Sequence, residues 1–460
     1  MTLSLSRRDH LMRRTIPPVA GALTGARSST CLKLSGSISS SLCYWQEPRK
    51  QKFYRVLTLV MSYSSLGDRR LMGFDKTSKL SFINSKIIFY FGPWVIVSQL
   101  IYLYVNYSDL NFDILGIIFS IFPASLLSNV SYLLTLEWAR YDHFAALTNN
   151  TLKSYKRLIK SLFTEIHLYT VYKDNKTEFV KRILLKSERY TRWTTYYLAF
   201  FFIISWIGWI SITAVNNYNN KELVANRTAR LQTCVFLWLP LDYSYDFRNW
   251  CVIHAINIHI VWCAVTLMAT FQSLSNIFIF NIIGHIQILK NMMRTDFNED
   301  LSDEEVHKRL VKIIKYYSFI TRVFKEVQNA FGFNVMANYA QNLFGNSIVL
   351  YQLMYGGREN KMLYTTMIMA YTGGPILMSF VLEEVKKEAE DLPEVVYSMP
   401  WEKMSVQNQK TVLLILQRVQ SVFEFVALGI LTAGVKPMVS ILKTTFSYYV
   451  MLENTMSVKS

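Results

Sequence analysis

The chain has 460 residues and a formal net charge of +17, with 51% of its residues hydrophobic and 15% aromatic. In a soluble protein that charge would point to nucleic acid, but here Lys and Arg lie between long uncharged stretches, which favours a membrane surface and argues against a nucleic-acid partner. None of the five cysteines (Cys31, Cys43, Cys234, Cys251, Cys263) forms a CxxC pair, so neither a zinc site nor a thioredoxin-like motif is supported. Residues 1–60 are rich in Ser and Arg with only Asp9 and Glu47 as acids, and read as a disordered leader or an over-extended start ahead of Met61. Uncharged runs long enough to cross a bilayer follow at Ile87–Ser108, Ile114–Leu136, Thr194–Asn220, Asn249–Leu289, Val327–Gly357 and Met362–Leu382. These are six clear spans. The fourth is longer than one crossing needs and is expected to continue as an amphipathic helix.

The seventh span, Thr411–Thr455, is apolar in character but carries Arg418, Glu424, Lys436, Lys443 and Glu453. Lipid tolerates such charges poorly, so either the first part is outside the membrane or the helix lines water. Gly434 and Pro437 offer a break, with Pro437 suited to a first helical turn. The reading is therefore two helices, Thr411–Leu431 and Pro437–Thr455. Lys and Arg counts orient the chain: 14 in residues 1–84, 12 in 137–193, 8 in 290–326 and 4 in 383–410, against none in 109–113, four in 221–248 and two in 358–361. The predicted fold is an all-α, seven-transmembrane bundle with its N-terminus inside and C-terminus outside. Its parts are a cytoplasmic segment 1–84, spans one to six over 85–382, an internal region 383–436, a final helix 437–455 and an external tail 456–460. The loops 137–193 and 290–326 show apolar residues at helical spacing and are expected to extend into the cytoplasm as packed helices. Asn226 then lies outside in an Asn-Arg-Thr glycosylation sequon. Cys234 and Cys251 share that outer loop, where a disulfide and two separate thiols are both compatible with the sequence.

Nothing resembles a catalytic constellation, so no enzyme, metal or cofactor is expected. His254 and His259 are five residues apart, about 140° around a helix, and do not share a face as a ligand pair would. Gly356-Gly357 and Gly373-Gly374 lack the Lys-Ser/Thr of a phosphate loop, and Gly373-Gly374-Pro375 reads as a kink or close-packing site.

Residues 373–454 decide the matter: a Gly-containing sixth span, an acidic stretch, Tyr397 four residues before Trp401, a helix with Gln417-Arg418 and Gln420, and a last helix with Ser447-Tyr448-Tyr449 and Leu452. This order and spacing resembles the C-terminal signature of insect odorant receptors. The related gustatory receptors end their last helix differently, with a Gln-Phe that Glu453-Asn454 does not supply. The odorant co-receptor has a long insertion between spans four and five where this chain has only 290–326. The resemblance thus implies a ligand-tuning subunit of a ligand-gated, non-selective cation channel, assembled with co-receptor subunits as a heterotetramer. It implies the plasma membrane of olfactory neuron dendrites, a volatile organic ligand, and a cytoplasmic anchor built from the internal helices, with Tyr397, Trp401, Gln417 and Arg418 as its signature.

Ser447, Met451, Asn454 and Thr455 share a face of the last helix. The resemblance maps the pore's gate to Met451 and Thr455 and a polar pore position to Asn454; Thr455 departs from the family's apolar residue. The implied pocket lies in the outer bundle. Span three offers Phe202, Ser205, Trp206 and Trp209 on one face, span four Met268, and span six Met367 and Tyr371. Both stripes are also what ordinary helix packing would produce. A gustatory-type channel and a seven-transmembrane metabotropic receptor are the alternatives; the second requires an outside N-terminus.

Overall fold

A computed structural model describes residues 46–107 (apart from 65, 68 and 75–78), 118, 145–297, 301–355 and 360–457 (apart from 422). The predicted second span, 114–136, therefore falls outside the described residues except at Ile118. What is described is all-α apart from one short hairpin.

The helices are α1 (Lys52–Tyr63), α2 (Lys79–Asn106), α3 (Ala145–Ser161), α4 (Leu168–Asn175), α5 (Glu178–Asn219), α6 (Lys221–Ala225), α7 (Phe247–Thr295), α8 (Asp303–Tyr355), α9 (Lys361–Glu390), α10 (Leu392–Tyr397), α11 (Val406–Val419) and α12 (Val435–Ser457). Three of them are unusually long. α5, α7 and α8 hold 42, 49 and 53 residues, about 60–80 Å at the helical rise, more than twice a hydrocarbon core of about 30 Å. Each has a defined start: Thr177 Oγ1 accepts from the Val180 N–H, Asp246 Oδ1 accepts from the Arg248 N–H, and α8 opens on Asp303, Glu304 and Glu305, which suit the positive helix end. In α5 and α8 one end is charged and the other apolar. In α5 the charges stop at Arg192, and Trp193–Asn219 carries none. Residues 178–193 extend the apolar part of α5 and 303–326 that of α8, while 145–175 fold as the separate helices α3 and α4.

Glu178–Asn219, Phe247–Thr295 and Lys361–Lys403 are long and apolar enough to cross a membrane, yet only 28%, 33% and 39% of their most apolar windows are buried within the chain. Apolar surface left open on that scale needs lipid, and this is a membrane protein.

The core divides in two. The larger cluster sits at the basic end, where α1, α3, the second half of α7, the first half of α8 and the end of α9 meet α10 and α11. α1 inserts Tyr54, Leu57 and Met61 from one helical face, which corrects the expectation of a disordered or dispensable stretch for residues 52–60; Phe278, Leu310, Ile286 and Leu158 are fully buried. The smaller cluster lies at the far end around Leu237, Tyr243, Trp250, Ile253 and Tyr364. The loop 226–246 is stitched onto it: Asn217 exchanges two bonds with Gln232, and the Trp250 indole and Asn257 amide donate to the Gln232 and Val235 carbonyls.

The expected helix Thr411–Leu431 is corrected. α11 stops at Val419, and an antiparallel hairpin follows, β1 (Phe425–Ala427) with β2 (Leu431–Ala433), in register Phe425 to Ala433 and Ala427 to Leu431. The reason is local. Phe425 and Ala427 alternate inward as strand residues, Phe425 against Phe324, and the turn is made by Leu428 and Gly429 at φ 52° and 73°, left-handed values a helix cannot accept. The last helix starts two residues earlier than expected: α12 begins at Val435, Pro437 stands in its first turn, and Met438 N–H closes onto Gly434 O.

For the two outer cysteines the sequence left a disulfide and separate thiols both open. Cys234 and Cys251 are both free thiols. Cys234 is buried with its Sγ 3.6 Å from Thr213 Oγ1, while Cys251 is exposed on α7. Burial pushes the Cys234 thiol up to about 12, so it stays protonated and inert.

Candidate functional site

Between α5, α7, α8 and α9 lies a cavity of about 100 Å³. Phe202, Ser205, Trp206 and Trp209 line it from α5, Met268 from α7 and Tyr371 from α9, so six of the seven residues singled out from the sequence share one space. Met367 does not: it is fully buried in the far-end cluster, one turn from the cavity. The walls are apolar, with Ala264, Val265 and Ala370 between the aromatics, and among the described residues no charged side chain lines it. Trp206 is fixed at 4.9 Å from the Trp262 ring, with its indole N–H donating to Ile258 O across α7. Such a space suits a small neutral organic molecule.

The floor is polar: Gln272 from α7 with Asn338 and Gln341 from α8. These belong to a feature that sequence reasoning missed. Asn334, Asn338, Asn342 and Asn346 recur every four residues on α8, all buried. Asn338 Nδ2 donates to Asn334 Oδ1 and Asn346 Nδ2 to Asn342 Oδ1, both at 2.8 Å. The four-residue repeat was open to inspection; only the habit of reading apolar periodicity hid it.

Asn342 has a further duty. Pro375 in α9 has no N–H, so the carbonyl four residues earlier, Tyr371 O, loses its helical partner. Asn342 Nδ2 donates to that oxygen at 3.0 Å. The Asn342 carbonyl in turn accepts from Thr445 Oγ1 of α12 at 3.1 Å. A chain of contacts thus runs from the cavity wall at Tyr371 through α8 to the last helix. One turn lower a second link forms: Tyr339 on α8 lies 2.6 Å from Ser379 Oγ of α9 and accepts from Gly434 N–H at 3.1 Å, while Glu383 accepts from Val435 N–H. The two glycines of α9 serve a different approach, to α5 and α7. A Cβ on Gly373 would lie 2.5 Å from the Phe201 ring and one on Gly374 2.5 Å from Gln272 Oε1.

On α12, Thr445 and Tyr449 face inward, and Ser447, Met451 and Asn454 are exposed together on the opposite side. Lys436, Ser440 and Lys443 continue the same exposed stripe toward the helix start. The Thr455 side chain lies outside what is described. Of the remaining named residues, Tyr397 is exposed and packs its ring 6.2 Å from Trp401, whose indole donates to Tyr397 O; Gln417 and Arg418 are exposed on α11. Asn226 is exposed after α6.

The family model for the 7tm Odorant receptor matches residues 151–446. The chain belongs to this odorant receptor family. Odorant receptors with solved structures share its fold. The insect olfactory receptor OR5 from Machilis hrabei matches with a TM-score of 0.64 at 16% identity, covering 87% of this chain and 97% of that one. OR5 in complex with eugenol matches with a TM-score of 0.69 at 14% identity, covering 88% and 98%. No curated protein matches the chain. Odorant receptors form a receptor class rather than an enzyme class.

Proposed function

We propose that this odorant receptor is the ligand-tuning subunit of a cation channel opened by a small volatile organic molecule in the cavity between α5, α7, α8 and α9. One observation carries the reading: the cavity wall at Tyr371 is joined through Asn342 to Thr445 on the last helix. A ligand that binds one arrangement of α9 better than another biases that joint, and only such differential binding can shift the equilibrium. Opening displaces α12, whose exposed stripe of Ser447, Met451 and Asn454 faces the pore, with Met451 as the apolar constriction. The solved receptor in complex with eugenol supports a volatile ligand for this fold.

The chain sits in the plasma membrane of olfactory neuron dendrites with its basic end in the cytoplasm. There Tyr397, Val406, Leu413 and Leu414 stand exposed, apolar surface suited to neighbouring subunits, with co-receptor chains completing a heterotetramer around one pore. Asn226 faces outside, open to glycosylation. The test is membrane current in cells expressing this chain with and without an odorant co-receptor, challenged with a panel of volatiles. Odorant-evoked current that needs both chains is the expected result. Current from this chain alone, evoked by tastants, would place it with gustatory-type channels, and an odorant signal that needs a G protein and no co-receptor would make it metabotropic.

A further inference from the structure

A second pocket, of about 300 Å³, opens between α5, α7 and α9 on the basic side of the ligand cavity. Its depth can be read from the chain. On α5 the charges end at Arg192, and Tyr190, Trp193 and Tyr196 project outward with 47%, 66% and 60% of their surface exposed, as aromatic side chains do at a membrane boundary. On α9 the uncharged stretch ends at Leu382, and Glu383 and Glu384 follow. The pocket spans this boundary. Phe280, Ile283 and the exposed Phe380 form an apolar wall, and Lys186, Ser187, Gln287 and Glu384 form a polar rim. Lys186 Nζ lies 6.0 Å over the Tyr190 ring, and among the described residues neither Lys186 nor Glu384 pairs with an opposite charge.

We propose that this pocket binds a phosphatidylethanolamine of the inner leaflet. An amphiphile matches a site with one oily wall and one charged rim, and the rim carries one charge of each sign. The lipid phosphate meets Lys186 and the Ser187 hydroxyl. Its primary ammonium donates to the Glu384 carboxylate and the Gln287 amide oxygen, while the acyl chains lie along Phe280, Ile283 and Phe380. Phosphatidylcholine has no N–H to donate. Phosphatidylglycerol has no cation and leaves Glu384 facing an anion.

The test is native mass spectrometry of the purified full-length chain in micelles doped with equal amounts of phosphatidylethanolamine, phosphatidylcholine and phosphatidylglycerol. Retention of the ethanolamine lipid at least fivefold above the other two is expected. Glu384→Gln should erase that preference while still retaining phospholipid; Lys186→Gln should cut retention of all three, with Lys186→Arg restoring it. Equal retention of the three lipids by the unaltered chain, a preference for phosphatidylglycerol, or an unchanged preference in Glu384→Gln would overturn the assignment. Both side chains are exposed at the rim, so circular dichroism of the variants should match the parent.

Discussion

The two ends of this receptor are built from the same rods and packed in opposite ways. At the basic end α7 and α8 meet α1, α3, α10 and α11 around Phe278, Ile286, Leu310 and Leu158, with the largest continuous core in the molecule. At the far end the same α7 helps form a smaller cluster, and beside it an open cavity holds Trp206 and Tyr371 only partly buried. The teaching is a division of labour: the tight end carries stability, and the loose end has room to accept a molecule. Between them lies a polar seam, the asparagines of α8, which neither end could replace with oil without losing the bonds to α9 and α12.

The comparison is broken most strongly at the tight end. Phe278→Ala should cost about 3–5 kcal/mol and remove most folded receptor from the cell surface, whereas Trp206→Ala with Tyr371→Phe should leave surface expression nearly intact and change the response to volatiles. Surface labelling and current recorded from the same cells separate the two, and an unchanged response in the double variant would sink the cavity assignment. Next in size is the seam. Asn342→Leu leaves Tyr371 O without its donor, a loss of about 1–3 kcal/mol for a buried polar group. The expected outcome is ligand binding largely kept with gating impaired: current reduced at saturating ligand, with binding measured separately by fluorescence.

The pH dependence sharpens the same contrast. His285 lies at the basic end, its two ring nitrogens 2.7 Å from Tyr316 Oη and Ile166 O. Burial lowers its pKa from 6.5 to about 4. The unfolded chain therefore binds the proton more readily, so this stability is present above pH 6.5 and is lost as the pH falls from 6.5 toward 4. At pH 5 the loss is roughly 2 kcal/mol. Melting curves at pH 7 and pH 5 should show it, and His285→Gln should flatten the difference. The smallest effect is at the far end. Reducing agent should move neither melting nor response, since Cys234 and Cys251 are unbonded; a clear drop would restore the disulfide.

Much of this was legible in the sequence for a physical reason. Lipid enforces long uncharged helices, so α5, α7 and α9 announced themselves, and the face shared by Phe202, Ser205, Trp206 and Trp209 followed from helical geometry. What stayed hidden depended on partners distant in sequence. The hairpin at 425–433 replaces a helix because Phe425 packs against Phe324, a residue about a hundred positions earlier. Met367 carried the right periodicity for the cavity, but one turn from Tyr371 it packs into the far-end core instead. The role of Asn342 needed two facts joined in space: a proline on one helix and an amide on another.

Count joints rather than contacts and the molecule becomes a frame of struts. α5, α7 and α8 run unbroken from one end to the other, so none of them can bend at the membrane boundary without breaking its own ladder of hydrogen bonds. Proline interrupts that ladder in α9 at Pro375, and the hairpin before Gly434 separates α11 from α12. The second directly precedes the last helix, and the first is linked to it through Asn342. In such a frame the stiff members fix where the moving one stands at rest, and whatever freedom it has is set at those two joints.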